Sequence, residues 1–283
     1  MAPIILEERI RSNYNELTKS CKKIAEYLLR NMEKAAFFNI SDFRREIGVS
    51  ETTVMRFARA LGYDGFPQLQ EDLRTWFKEK FTPLKKMEKS LYKPSSNMYK
   101  NILDKDIQNL NYLKEGFSYE KLGKVVNMIL KAKHVYIMGY RTSYPLAYFL
   151  YMFLTHIMKN VELLDVGGGS IYDRIIQWGR DDVLVAISFS RYSRITLEIA
   201  ECAKNQHCKI IGITDRLISP VGNIATYVLT APCNSPTFFN SYTAVLSLIN
   251  CLVGEISIKK GKDSIRLLRN RDNVFKQLRV LLK

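Results

Sequence analysis

The chain has 283 residues, 47% of them hydrophobic and 25% charged, and a formal charge of +15. That profile describes a soluble globular protein with room for one smaller and one larger domain, and the positive balance favours a polyanionic partner such as nucleic acid. Five cysteines (Cys21, Cys202, Cys208, Cys233 and Cys251), odd in number and without CxxC spacing, exclude a disulfide framework or a zinc site and suggest reduced, buried thiols in a cytoplasm. Charge is spread unevenly: residues 1–90 net +4 and residues 91–283 net +11, so bulk charge alone does not locate a nucleic-acid site.

The first residues, MAPIILEERIRSNY, lack the apolar core of a signal peptide. Leu17, Cys21, Ile24 and Leu28 then recur at helical spacing and predict an amphipathic helix. Ile40, Phe43 and Ile47 predict a shorter helix ending at Gly48. Ser50 is a candidate N-cap, with Glu51 in the first turn as a dipole partner, and Val54, Phe57 and Leu61 form the next apolar face before Gly62. Asp64-Gly65-Phe66-Pro67 turns the chain into a further helix carrying Leu69, Leu73 and Phe77. Residues 1–81 therefore read as an all-helical domain. The stretch 82–98, TPLKKMEKSLYKPSSNM, holds two prolines and three serines and reads as a linker.

From residue 99 to 283 the pattern changes to short β-rich runs alternating with helical segments. The runs are His134–Gly139, Val161–Asp165, Val183–Ser188, Lys209–Thr214 and Thr226–Ala231, with helices expected near 142–159, 169–178, 193–206 and 237–258. Such alternation implies an α/β domain with a parallel sheet flanked by helices, a three-layer sandwich of the flavodoxin-like kind. Ligands of such sheets bind in the loops at the carboxyl ends of the strands, here 139–143, 188–196 and 214–219. Two charge-free stretches, Thr142–Met158 and Leu217–Gly254, are broken by Pro145 and His156 and by Pro220, Pro232 and Pro236, which argues against membrane spans. The last 25 residues hold nine basic and two acidic side chains, read as a solvated basic face.

Ile40–Ile47, Gly48-Val49 and Ser50–Leu61 have the layout of a helix-turn-helix, whose second helix enters the major groove. In that reading Arg56 reads a base edge, Ser50, Thr52 and Thr53 reach bases or phosphates, and Arg44, Arg45 and Arg59 hold phosphates. The competing reading is a three-helix domain with an ordinary polar outer face. Val49–Arg74, VSETTVMRFARALGYDGFPQLQEDLR, decides between them. It resembles the signature of the N-terminal domain of the RpiR family in Ser50, Thr53, Arg56, Phe57, Leu61, Gly62, Gly65 and Phe66. The resemblance implies a transcriptional regulator that binds double-stranded operator DNA through an all-α helix-turn-helix domain.

The rest of the chain resembles the SIS domain, the phosphosugar-binding fold of sugar isomerases and RpiR regulators. Its Gly-x-Gly-x-Ser loop corresponds to Gly139-Tyr140-Arg141-Thr142-Ser143. Its Ser-x-Ser-Gly-x-Thr-x-acid loop corresponds to Ser188 to Ile195. Arg141 and Arg191 replace glycine, and Ile195 replaces the acid. Loss of glycine makes close backbone cradling of a phosphate harder, while two guanidinium groups can clamp an anion. The resemblance thus implies a small anionic sugar-derived effector held by Arg141, Ser143, Ser188, Ser190, Arg191 and Ser193, without metal or other cofactor. Against this stands the reading of the arginines as salt-bridge or solvated loop residues. Pairing of SIS domains implies a homodimer or tetramer in the cytoplasm. Two alternatives stay open: a phosphosugar isomerase, for which Glu198 and Glu255 are the remaining acids, and a DNA-binding protein whose second domain only oligomerises. Gly167-Gly168-Gly169-Ser170 lacks the lysine of a nucleotide-binding loop and reads as a turn.

Overall fold

The structure, a computed structural model, describes residues 6–80, 82–92, 97–165 and 171–280; the 167–170 turn lies outside them. Contacts divide the chain into two compact units, Met1–Ser95 and Ser96–Lys283.

The first unit is helical: α1 (Leu6–Asn13), α2 (Lys19–Ala35), α3 (Ile40–Ile47), α4 (Glu51–Ala60), α5 (Phe66–Lys80) and α6 (Pro83–Tyr92). Its core gathers Ile10, Ile24, Leu28, Phe38, Phe43, Phe57, Leu69 and Leu73, all fully buried. Edge-to-face ring pairs, Phe38–Phe43 at 5.2 Å and Phe43–Phe66 at 5.5 Å, tie the start of α3 to α5. Such pairs add about 0.5–1.5 kcal/mol beyond area burial. The start of α3 is closed by a capping box: Asn39 Oδ1 accepts from Asp42 N at 2.9 Å, and Asp42 Oδ2 accepts from Asn39 N at 3.0 Å. Its end is closed by Gly48 at φ 72°, where an L side chain would be strained.

Within the stretch 82–98, read from the sequence as a linker, most of the residues form helix α6, and the division between the two units falls in the same stretch. Thr82 caps α6 by accepting from Lys85 N at 3.2 Å, and Pro83 sits at the first helical position, where its missing N–H costs nothing. Leu84, Met87 and Leu91 do recur at helical spacing, yet all three are exposed.

The second unit opens with two helices, α7 (Met98–Glu115) and α8 (Tyr119–Lys131). Thereafter β1 (Val135–Gly139), α9 (Tyr144–Ile157), β2 (Val161–Leu163), α10 (Ile171–Ile175), β3 (Val183–Ile187), α11 (Arg194–Asn205), β4 (Lys209–Thr214), β5 (Tyr227–Thr230), α12 (Thr243–Lys260) and α13 (Lys262–Gln277) follow. The five strands are parallel in the order β2-β1-β3-β4-β5, the doubly wound order. β3 is central and buried throughout. Val183, Val185 and Ile187 face a core completed by α8, α9 and α12, while Leu184 and Ala186 face a second core completed by α10 and α11. The expected three-layer sandwich is therefore present, and each fully buried Val or Ile contributes roughly 1.5–3 kcal/mol to it.

The thiols depart from expectation in part. Cys21, Cys208 and Cys233 are buried and not disulfide-bonded, and burial pushes the Cys208 thiol up to about 12. Cys202 and Cys251 are exposed, because the apolar faces of their helices are carried by Ile199, Ala200 and Ala203 and by Leu248, Ile249 and Leu252. No described helix is long and apolar enough to cross a membrane.

Candidate DNA-binding and effector sites

Helices α3 and α4, joined through left-handed Gly48, reproduce the helix-turn-helix register read from the sequence. Val54, Phe57 and Ala58 fix α4 against the core. Thr52, Arg56 and Arg59, spaced four and three apart, are thereby turned outward and exposed. Ser50 caps α4: its Oγ accepts from Thr53 N at 3.2 Å and lies 2.8 Å from the Thr53 hydroxyl and 3.2 Å from that of Thr52. All three candidate hydroxyls are thus already engaged with one another at the cap. Arg45 is paired with the capping-box acid Asp42 at 2.6 Å. Arg44, Arg56 and Arg59 have no ion-pair partner among the described residues. They are the cations of this face most available to a polyanion.

In the second unit α9 follows β1 onto one face of the sheet and α11 follows β3 onto the other. Because β1 and β3 are neighbours, their two loops flank a topological switch point, where doubly wound sheets bind ligands. The first loop leaves Gly139, where a Cβ would lie 2.4 Å from the Ser143 carbonyl oxygen. Only glycine permits so tight a turn. Ser143 is buried, and the Thr142 hydroxyl meets the Tyr242 phenol at 2.9 Å. The second loop begins at Ser188, whose side chain is buried and whose Oγ has no hydrogen-bond partner. Buried hydroxyls are rarely left so. Ser190 is half-buried, and Ser193 caps α11 by accepting from Thr196 N at 3.4 Å. The Thr196 hydroxyl, fully buried in the first turn of α11, is also without a partner.

Arg141 and Arg191, which stand where the family pattern has glycine, adopt the left-handed conformation at φ 54° and 67°. Both loops thus hold a left-handed backbone of the kind glycine favours, at a strain of roughly 1–2 kcal/mol per residue. Both side chains are exposed, and neither forms an ion pair among the described residues. Both loops leave the carboxyl ends of adjacent strands, so their backbone N–H groups and two exposed arginines stand at the same end of the sheet, chemistry suited to an anion with several oxygens. Arg194 is a helix-surface residue paired with Glu198 at 2.6 Å.

Sequence reading missed three side chains of this crevice. Tyr242 packs edge-to-face on Phe189, and Tyr192 donates to Asp215 at 2.7 Å across to the loop after β4. Thr214 also donates to Asp215, at 3.2 Å, and Arg216 lies 3.3 Å from its other oxygen. Burial, with Asp215 beside it, pushes the Tyr192 phenol well above its ordinary value. The loop itself was expected at 214–219, but no motif marks these residues. Neither His134, paired with buried Asp182 at 3.1 Å, nor His156 in α9 belongs to the crevice. No group of acids, histidines and cysteines among the described residues is arranged to hold a metal ion.

A helix-turn-helix unit followed by a doubly wound unit with a strand-end crevice defines a DNA-binding transcriptional regulator with a sugar-isomerase-type domain. The family model described as the helix-turn-helix domain of the rpiR family matches residues 4–80, and that of the SIS domain matches residues 128–254. Together the two span most of the chain, and the chain belongs to the RpiR family. A regulator from Haemophilus influenzae described as an uncharacterized HTH-type transcriptional regulator is 27% identical over 78% of this chain and 77% of its own. The HTH-type transcriptional regulator HexR of Pseudomonas aeruginosa is 24% identical over 91% of each. Among solved structures, the sugar isomerase domain of an RpiR transcription factor from Sphaerobacter thermophilus matches with a TM-score of 0.60 and 25% identity, covering 63% of this chain and 99% of that one. The NanR protein of Vibrio vulnificus, solved in complex with ManNAc-6P, shares the fold over 96% of this chain and 98% of its own, with a TM-score of 0.69 and 18% identity.

Proposed function

We propose that the chain is a cytoplasmic regulator whose second unit senses an anionic sugar-derived metabolite, a phosphosugar or sugar acid, and so controls carbohydrate-metabolism genes. The observation that carries the effector reading is Ser188. Its buried, unpartnered hydroxyl opens a crevice flanked by two unpaired, left-handed arginines. An anion there, bound by Arg141, Ser143, Ser188, Ser190, Arg191 and Ser193, supplies the missing partner. That the fold relative NanR carries ManNAc-6P supports a phosphosugar. Arg56, with Thr52 and Thr53, reads bases in the operator, while Arg44, Arg45, Arg59 and Ser50 hold phosphates.

The unit is not an enzyme in this reading. Aldose–ketose isomerisation needs a free base near the substrate. Asp215, the carboxylate at the crevice, is instead held by Tyr192, Thr214 and Arg216. Two copies pair through the second unit, where Ile258, Ile265 and Leu268 leave apolar surface exposed, and so present two recognition helices to a palindromic site. A thermal-shift screen of the full chain against phosphosugars, amino sugar phosphates and sugar acids tests the proposal. A ligand at a hundredfold excess over its Kd adds about 2.7 kcal/mol. A hit that vanishes in the double variant Arg141→Lys, Arg191→Lys supports it. A panel without a hit leaves the second unit an oligomerising module.

A further inference from the structure

The loop after β4 contributes a carboxylate to which the effector reading gives no task. Asp215 is nearly buried, its side chain 7% exposed, at the carboxyl end of the sheet beside the crevice. An uncompensated acid there would repel an anionic ligand. Arg216, 3.3 Å from Oδ2, offsets its charge, and Oδ1 accepts from both the Thr214 and the Tyr192 hydroxyls. The Tyr192 bond joins two loops that follow different strands, 23 residues apart in sequence. Tyr192 sits between two residues with demanding geometry. Arg191 before it is left-handed at φ 67°, and Ser193 after it is the N-cap of α11. Strained conformations persist only where surrounding contacts over-determine them, and the Tyr192 anchor is the contact at hand.

We propose that Asp215 is a positioning residue for the effector loop: acting through the Tyr192 hydroxyl, it holds residues 190–193 with Arg191 left-handed and the start of α11 open to the crevice. This rests on the reading of that crevice as the effector site. The burial that keeps Tyr192 protonated at every physiological pH keeps it a donor throughout. Asp215 touches no ligand in this scheme. Asp215 also accepts from Thr214 and pairs with Arg216, but it acts on the effector loop through the Tyr192 bond, so once that bond is lost in one variant, removing its other end does the loop no further harm.

The test uses the full-length chain as wild type, Tyr192→Phe, Asp215→Ala, Asp215→Asn and the double variant Tyr192→Phe, Asp215→Ala. Amide hydrogen exchange of residues 188–193 is followed without ligand, and N-acetylmannosamine 6-phosphate and inorganic phosphate are titrated by calorimetry. Tyr192→Phe and Asp215→Ala are each expected to speed exchange in 188–193 and to weaken binding about three- to tenfold, a part of the worth of a bond that steadies the loop without touching the ligand. The double variant should bind no worse than Asp215→Ala. Asp215→Asn, whose side-chain carbonyl still accepts from Tyr192, should recover most of the loss. Unchanged exchange in Tyr192→Phe, a loosened loop with unchanged affinity, or losses that add in the double variant would each overturn the proposal. If Asp215→Ala does not fold, Tyr192→Phe decides alone. A wild-type chain that binds neither anion removes the effector reading instead, and the exchange measurement then judges the tether on its own.

Discussion

The Thr142 hydroxyl and the Tyr242 phenol, a hundred residues apart in sequence, meet at 2.9 Å and fasten the turn after β1 to the start of α12. Tyr242→Phe deletes that bond but leaves the ring against Phe189. A neutral hydrogen bond nets about 0.5–1.5 kcal/mol, which for a unit of this size is a fall of a few degrees in melting temperature. Effector binding should weaken as well, since the first loop loses its far anchor. Calorimetry on the variant checks both. A melting temperature that holds while affinity falls would mean that the bond serves the ligand alone.

Arg191→Gly should separate backbone strain from charge. The substitution relieves roughly 1–2 kcal/mol of left-handed strain, partly offset by the greater freedom of glycine in the unfolded chain. A small rise in melting temperature is expected. Affinity for the effector should fall about tenfold or more as a charge-assisted bond worth about 1.5–3 kcal/mol is lost. Arg191→Ala keeps the strain and should lose affinity without the gain in stability. If neither change alters affinity, the guanidinium is not a ligand group.

On DNA, Arg56 and Arg44 should behave differently. Losing Arg56 is expected to cost about 1–3 kcal/mol on the cognate site and to relax preference at one base pair. Arg44→Ala should weaken all sequences alike and reduce the slope of log K against log salt by about one. Fluorescence anisotropy over a salt series distinguishes the two. Equal, sequence-independent losses would place Arg56 on the phosphates too.

Acid should destabilise the second unit through His156. Burial, then the nearby Arg271 charge, holds this imidazole below its ordinary pKa, and its Nε2 is buried without a partner. A His depressed in the folded state binds fewer protons than in the unfolded chain. Its contribution is therefore complete above the unfolded pKa of about 6.5 and is lost as pH falls below it. The urea midpoint should drop between pH 7.5 and 5.5, and His156→Gln should flatten that drop. An identical drop in the variant would shift the cause to other groups.

Much of this was legible in the residues because the patterns are local. All five strands lie within the β-rich runs, since a strand buried on both faces must be a continuous apolar run, as Val183–Ile187 is. The recognition helix was equally clear, because Ser50 and Gly62 mark its limits and Val54 and Phe57 its inner face. Helix α8 went unread although Leu122, Val125, Val126 and Ile129 form a regular stripe. Helix α6 was hidden for another reason: its apolar residues are exposed and its neighbours are Pro and Ser, so composition outweighed spacing. The crevice was legible only in part. Its serines and arginines fall within recognisable loops, but Tyr242 and Asp215 reach it through pairings that no local window contains. Nor does a residue's identity reveal that an arginine holds the backbone of a glycine; only the φ angles of Arg141 and Arg191 do.

The strand order has a consequence for the whole second unit. Helices α9 and α11 lie in opposite layers, separated everywhere by the sheet, and only at the switch point do their loops come side by side. An anion gripped there from both loops becomes a rivet through the open end of the sandwich. The outer layers, which lie on opposite faces of the strands, then resist being peeled apart.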